Sequence, residues 1–279
     1  MACTFQLTVS DKEIADMARS HSIATVHEFI EEHYKTIHTE YQLLTSPQGL
    51  PEHYHSLYSL LKSAFDKNIS GKNVVIAIGN GHQFSDSHVQ PLSSSNIVVA
   101  NVTDACDLPV ICIGIRYSGL LRSNEEAKQE ALAVIQSLPV KPTTIIDTGT
   151  SFQAHWSLIG YGIFGPALKG EFPNDRRLCS LISEVHHSIS KAAAQAGLEM
   201  EPIVAEVHAR KRYCSLNMYA MIPGLSNYVF DEHGVLVEKY NIEIVEQKVT
   251  HYTIDCFANW IDIRRNDDRA HQLKGREII

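Results

Sequence analysis

Between Pro142 and Trp156 the chain reads Pro142-Thr-Thr-Ile-Ile-Asp147-Thr-Gly149-Thr-Ser-Phe-Gln153-Ala-His155-Trp156, and this stretch restricts the fold more than any other. A helix precedes it, read over Asn124 to Ser137 with Glu in its first turn, where the helix dipole favours a carboxylate. Pro139 and Pro142 end that helix. Thr143 to Asp147 is short and apolar, which predicts a strand. Asp-Thr-Gly after a strand is turn chemistry, with Asp147 placed to cap the turn that follows. His155 to Leu158 is then the antiparallel partner of the first strand. A helix stopped by prolines and followed by strand, turn and strand requires a β-sheet core.

The rest of the chain extends this pattern. Ser10-Asp-Lys-Glu13 is a capping box that opens a helical region with apolar Ile14, Met17 and Ala18. Val26, Phe29, Ile30, Tyr34 and Ile37 carry a second helical pattern, and Ser46-Pro-Gln-Gly49 breaks it. A further helix is predicted from about Pro51 to Asp66. Residues 1–70 therefore read as a helical cap or subdomain. Strands are predicted at Asn73 to Ile78, Ile97 to Ala100 and Val110 to Ile115, and around Ile203 to Val207 and Val235 to Val245. A long helix spans Arg176 to Ala196, closed by Gly197, and a short one Thr253 to Ile261. Residues 71–262 form the core, and 263–279 a charged, loosely held tail. Helices first, then strands mixed with helices, argue for an α+β class.

Composition excludes several functions. Lys and Arg total 24 against 32 Asp and Glu, a net charge of −8. Tight non-specific nucleic-acid binding depends on Lys and Arg releasing counterions, so it would need a local basic strip. The six Cys are scattered without a CxxC pair, which argues against a zinc site and for reduced cysteines. None of the fifteen His falls at a zinc-ligand spacing; His53 and His55 point to different faces of a helix. No metal site is expected on these grounds. No apolar stretch is long enough to span a membrane, and no secretory signal opens the chain. These features predict a cytoplasmic protein.

Asp147 to Ser151 spell Asp-Thr-Gly-Thr-Ser and resemble the active-site loop of pepsin-like aspartic proteases. Such an enzyme needs two carboxylates about 3 Å apart sharing a proton, each on its own loop. One loop means that only a dimer would be active, and the long helices fit such all-β chains poorly.

The same stretch in its wider setting resembles the archaeo-eukaryotic primase-polymerase family in its plasmid and phage branch. That family places an Asn before a first strand. A strand with an Asp-x-Asp pair and a helix follow, and then a Pro-led strand ending in Ser-Gly-x-Gly-x-His-x-x-Trp. An Arg-x-Pro-Gly-Thr-x-Asn-x-Lys turn comes later. Here the order is Asn73-Val-Val-Ile, then Val110 to Tyr117, the Glu125 to Ser137 helix, Pro142 to Trp156, and Met221-Ile-Pro223-Gly224-Leu-Ser-Asn227-Tyr-Val229. The resemblance covers about residues 70 to 262. It implies a primase-like core with an RRM-like mixed sheet after an N-terminal helical region.

The chemistry implied by the family departs at its central positions. Polymerases hold two metal ions with paired carboxylates. The Asp-x-Asp positions fall on Gly114 and Arg116, and glycine offers no ligand while arginine repels a cation. The phosphate-contacting His is matched by Gln153, with His155 two residues on along the same face. Met221 and Val229 stand where the turn has Arg and Lys. Gly149, Trp156, Pro223, Gly224 and Asn227 persist. The carboxylates open to substitution are Asp147 and the Asp104-x-x-Asp107 pair, the latter reading as a turn before Pro109. The candidate catalytic residues are therefore Asp147, His155 and Asp107.

His208-Ala-Arg210-Lys211-Arg212-Tyr213 is the densest basic cluster, and bases interleaved with an aromatic suit single-stranded nucleic acid. Arg210, Lys211, Arg212, Tyr213 and Asn227 are the candidate binding residues. The expectation is a catalytically inactive primase-like protein. It would bind nucleic acid or act as a scaffold with protein partners in a mobile-element replication or defence system. No cofactor is expected. The alternatives are an active nucleotidyltransferase with relocated carboxylates, which would need Mg²⁺ or Mn²⁺, and the dimeric protease.

Overall fold

The computed structural model describes residues 11–34, 41–46, 52–77, 90–91, 98–99, 110–120, 123–158, 173–201, 205–210, 213–248, 250–253 and 255–262. In chain order these form α1 (Asp11–Tyr34), β1 (Tyr41–Ser46), β2 (Glu52–Tyr54), α2 (Leu57–Ile69) and β3 (Asn73–Ala77). The short pair β4 (Gln90–Pro91) and β5 (Val98–Val99) follows, then β6 (Val110–Arg116), α3 (Asn124–Ser137), β7 (Thr144–Asp147) and β8 (Ser151–Ser157). The remainder is α4 (Pro173–Gln195), β9 (Glu199–Glu201), β10 (Ala205–Arg210), β11 (Tyr213–Met221), β12 (Ser226–Phe230), β13 (Leu236–Asn241) and β14 (Glu243–Gln247), with α5 at 255–262.

Two five-stranded sheets dominate, ordered β10-β11-β3-β1-β2 and β14-β7-β8-β6-β9, and β12 and β13 form a hairpin of their own. Every ladder between named strands is antiparallel, so the sheets are not mixed as the sequence reading expects. The class is α+β. The parallel contact among the described residues is an isolated bridge between Leu158 and Tyr252.

The N-terminal region differs most from its sequence reading. The two helical patterns, as far as Tyr34, are parts of one helix, α1, which buries Ile23, Val26, Phe29 and Ile30 at spacings of three and four, while Ile37 lies outside the described residues. The helix expected from Pro51 is split. Glu52 to Tyr54 pair with β1 as a strand, and α2 starts later, where the Ser56 hydroxyl accepts the Ser59 N–H at 3.3 Å as an N-cap. β1 pairs with β3 on its other side, so the first sheet crosses residue 70 and ties both halves of the chain together. Residues 263–279 lie outside the described residues.

The second sheet is buried on both faces along its central strands. β6 (VICIGIR) is buried except at Arg116, and all seven residues of β8 are buried. A strand covered on both faces reads as a continuous apolar run, whereas a half-exposed strand alternates. One face carries Ile111, Ile113, Ile115, Phe152, Ala154 and Trp156. There α3 packs through Ala127, Ala131 and Ile135, and α5 sets Phe257 edge-on to Trp156 at 6.2 Å. The other face meets the first sheet. Gln153 Oε1 accepts the Met221 N–H at 3.0 Å, and Cys112 Sγ lies 3.9 Å from Tyr219 O. Burial holds the Cys112 thiol well above its usual range, so it stays protonated.

The β12–β13 hairpin is held by two asparagine side chains. Asn68 donates to Ser226 O at 2.7 Å and accepts from Ser226 N at 2.8 Å. Asn73 does the same with Tyr228, at 2.7 Å in both directions. Each amide supplies the donor and acceptor that a neighbouring strand would have supplied.

Candidate functional site

The β6 ladder defines the site. Gly114 stands opposite Gln153 on one side and Glu201 on the other; Arg116 stands opposite Ser151 and Glu199. Directly opposed residues share a face of a sheet. Gly114, Arg116, Gln153, Glu199 and Glu201 therefore occupy one face, which is the face turned to the first sheet.

The two glutamates differ in environment. Glu199 is exposed and its Oε2 sits 3.4 Å from Arg116 Nη1. Glu201 is only 9% exposed. Burial pushes its carboxyl above the usual carboxylate range, and the Arg116 guanidinium opposes that shift. Sequence reasoning missed this Glu-x-Glu. The signal was present: period-two spacing directly after the Gly197 stop, with Met200 between, is the mark of a short strand.

The site does not fit a two-metal centre among the described residues. No three His, Cys, Asp or Glu side chains converge there. The Arg116 guanidinium lies beside Glu199 and its charge reaches Glu201, so it repels a cation. Gln153, where the family resemblance places its phosphate-contacting His, is buried with its oxygen committed to Met221.

The Asp-Thr-Gly turn is a second cluster. Asp147 Oδ1 accepts the Tyr117 hydroxyl at 2.6 Å and the Gly149 N–H at 2.8 Å, and Oδ2 pairs with Lys128 Nζ at 2.6 Å. The carboxylate thus caps the turn and ties it to α3. The Lys128 ammonium also lies 5.7 Å from the Tyr117 ring centre and 5.9 Å from that of Phe152. Burial first, and Asp147 second, hold the Tyr117 phenol well above the ordinary tyrosine range. An aspartic-protease dyad requires the carboxylate to share its proton with a second one; here it is occupied by a lysine, a phenol and a backbone amide.

The turn is closed from outside by the hairpin. Gly149 has φ +81°, and a Cβ there would lie 2.1 Å from Tyr240 Cβ, so this position requires glycine. Asn227 donates to Thr148 O at 2.9 Å and Thr150 Oγ1 at 3.1 Å. Read from sequence as a nucleic-acid contact, Asn227 is buried with its amide donors spent on this turn, and its place is structural. Gly224, at φ +82°, starts the connection into β12, and Trp156 Nε1 donates to Val140 O at 3.0 Å.

The other candidates separate. His155 is fully buried at the centre of β8, opposite Cys112 and Thr144. Asp104, Asp107, Lys211 and Arg212 lie outside the described residues. Arg210 ends β10 and is paired with Tyr213 at the start of β11, on the edge hairpin of the first sheet. The backbone therefore places Arg210 and Tyr213 at one end of that hairpin. No helix among the described residues is long and apolar enough to cross a membrane.

No protein-family model matches the chain, and no curated protein matches it. Among solved structures it is similar, over most of its length, to primase RepB′, with 10% identity, 92% of this chain and 67% of that chain covered, and a TM-score of 0.43. It is also similar to the AEP domain of the Cyanophage S-2L primase-polymerase, with 11% identity, coverage of 85% and 97%, and a TM-score of 0.47. The catalytic domain of primase RepB′ in complex with initiator DNA gives 9% identity, coverage of 90% and 97%, and a TM-score of 0.42.

Proposed function

We propose that this chain is a primase-like protein without polymerase activity, serving as a nucleic-acid-binding or scaffolding subunit in a mobile-element replication or defence system. The observation that carries the reading is Arg116. It stands on a central strand, at the position where the family resemblance implies a metal carboxylate, with its guanidinium 3.4 Å from Glu199 and its charge felt by Glu201. The persisting members of the resemblance support the rest. Asn73 holds Tyr228, Asn227 holds the Thr148–Thr150 turn, and Gly149 admits Tyr240, so residues that the resemblance shares are spent on architecture.

The test is nucleotide incorporation on primed and unprimed single-stranded templates, with Mg²⁺ and with Mn²⁺. Well-folded protein is expected to incorporate nothing. Binding is followed by anisotropy of labelled single-stranded DNA and RNA across a salt series. Arg210→Ala with Lys211→Ala is expected to weaken binding and to flatten the salt slope by about 1.4, at roughly 0.7 per phosphate lost. Unchanged binding in that variant removes the basic cluster from the proposal.

One observation favours a second reading, an active nucleotidyltransferase with relocated carboxylates: Glu199 and Glu201 lie in register beside Gly114 and Arg116. Incorporation that Glu201→Gln abolishes would establish it and overturn the first.

A further inference from the structure

The strand found at Glu52–Tyr54 changes the relation of two histidines. On a helix His53 and His55 would point to different faces. On a strand, side chains two apart share a face. Glu52 and Tyr54 take the face of β2 that meets α2. Lys67 Nζ lies 2.6 Å from Glu52 Oε1, and the Tyr54 hydroxyl donates to Glu52 Oε2 at 2.7 Å and sits 2.6 Å from Ser63 Oγ. Exposure alternates to match: Glu52 and Tyr54 are half-buried, while His53 and His55 are exposed. The alternation thus runs one residue past the end of β2, and Ser56 after it is still extended, with φ −145° and ψ 132°. Both imidazoles are turned away from the α2 packing and towards solvent.

Their setting suits an ion. β2 is the last strand of the first sheet and pairs with β1 alone among the described residues, so a hydrated cation can approach from the edge. Alternate positions of an antiparallel strand lie about 6.8 Å apart along the chain. Two bonds of about 2.0–2.1 Å to one Zn²⁺ set the ligand nitrogens roughly 3–4 Å apart, a gap that two imidazoles close by leaning together. Imidazole nitrogen is a ligand for Zn²⁺ and Cu²⁺, whereas Mg²⁺ takes oxygen. No group of three His, Cys, Asp or Glu that could hold a metal occurs among the described residues, so water would complete the coordination.

We propose that His53 and His55 form a two-imidazole chelate for a divalent transition-metal ion, Zn²⁺ or Cu²⁺, on the outer strand of the first sheet. It is independent of the Gly114–Arg116 site and takes a softer ion than phosphoryl transfer employs. One ligand lies on β2 and the other just ahead of the Ser56 cap. The ion therefore ties the strand to the start of α2, and binding raises the melting temperature of the chain.

The test uses the full chain without a polyhistidine tag, with Zn²⁺ followed by titration calorimetry and Cu²⁺ by electron paramagnetic resonance. The chain has fifteen histidines, so the decisive comparison is between variants. His53→Ala and His55→Ala are each expected to weaken this site about tenfold or more. Each should also reduce the copper spectrum from two coordinated nitrogens to one. The double variant should bind one ion fewer than the wild type. His233→Ala removes an imidazole that is 77% exposed elsewhere and should change nothing. Circular dichroism checks that every variant is folded, which exposed positions favour. Equal numbers of ions bound with equal affinity by the wild type and the double variant, none included, overturn the proposal. So does a two-nitrogen spectrum that survives either single change.

Discussion

Replacing Asp147 separates a structural carboxylate from a catalytic one. Asp147→Ala removes the acceptor of the Tyr117 hydroxyl, and Tyr117 is 3% exposed, so its phenol would be left buried without that partner. A hydrogen bond to a charged group contributes about 1.5–3 kcal/mol, and the bond from Gly149 N–H adds about 1 kcal/mol. The Lys128 pair is 2.6 Å long, but the lysine side chain is 39% exposed, so screening limits that contribution to about 1 kcal/mol or less. The expected loss is about 3–5 kcal/mol for Asp147→Ala. Asp147→Asn keeps an oxygen at Oδ1 and sacrifices the charge, so it should cost about 1–2 kcal/mol. Urea unfolding at neutral pH measures both, provided the slope against denaturant stays constant. A double-mutant cycle with Tyr117→Phe should give a coupling of about 1 kcal/mol or more. Equal stability of the Ala and Asn variants, or no coupling to Tyr117, would refute the capping role.

Gly149→Ala should destabilise by about 2–4 kcal/mol in the same urea assay, since the new Cβ meets Tyr240 Cβ and the backbone is left-handed; Tyr240→Ala in the same chain keeps that Cβ and should not restore the stability. Tyr117 keeps its proton in the folded state above the pH at which it ionises unfolded. Its contribution is thus complete below the ordinary tyrosine range and lost as pH rises through and beyond it. Tyr117→Phe should flatten the alkaline fall in stability by about 1.4 kcal/mol per pH unit. The Glu201 carboxyl is also raised. Its contribution is present below the ordinary glutamate range and lost as pH climbs through the raised value. Glu201→Gln should accordingly gain on the wild type at neutral pH and lose that advantage in acid, which melting curves across pH would detect.

Elements whose signal was local could be read from the sequence. The helix ended by Pro139 and Pro142, the strand into Asp147 and the return through His155 all stand where spacing and turn chemistry put them. The Asp147 cap needed nothing beyond its own turn. Features set by distant partners were hidden. Glu52 to Tyr54 become a strand because β1 offers them an edge, though their own spacing fits a helix. Asn227 reads as a polar turn residue until Thr148 and Thr150 are placed against it. Glu199 and Glu201 gain meaning only from the β6 register, which no pattern within their own segment encodes.

The two asparagine clamps have a consequence for the order of folding. Asn68 reaches Ser226 and Asn73 reaches Tyr228 across 158 and 155 positions of chain, while Asn68 sits in the last turn of α2, a helix that can form locally, and Asn73 opens β3, whose partner β1 lies close in the chain. Closing so long a loop is entropically slow and is rewarded only once both ends are in place. The amides can receive Ser226 and Tyr228 only after α2 has terminated and β3 has started, so docking of the hairpin belongs among the last steps of assembly. A nascent chain would carry two unclamped asparagines until Tyr228 had been synthesised, and any strand that borrowed them in the meantime would be a competitor for the native route.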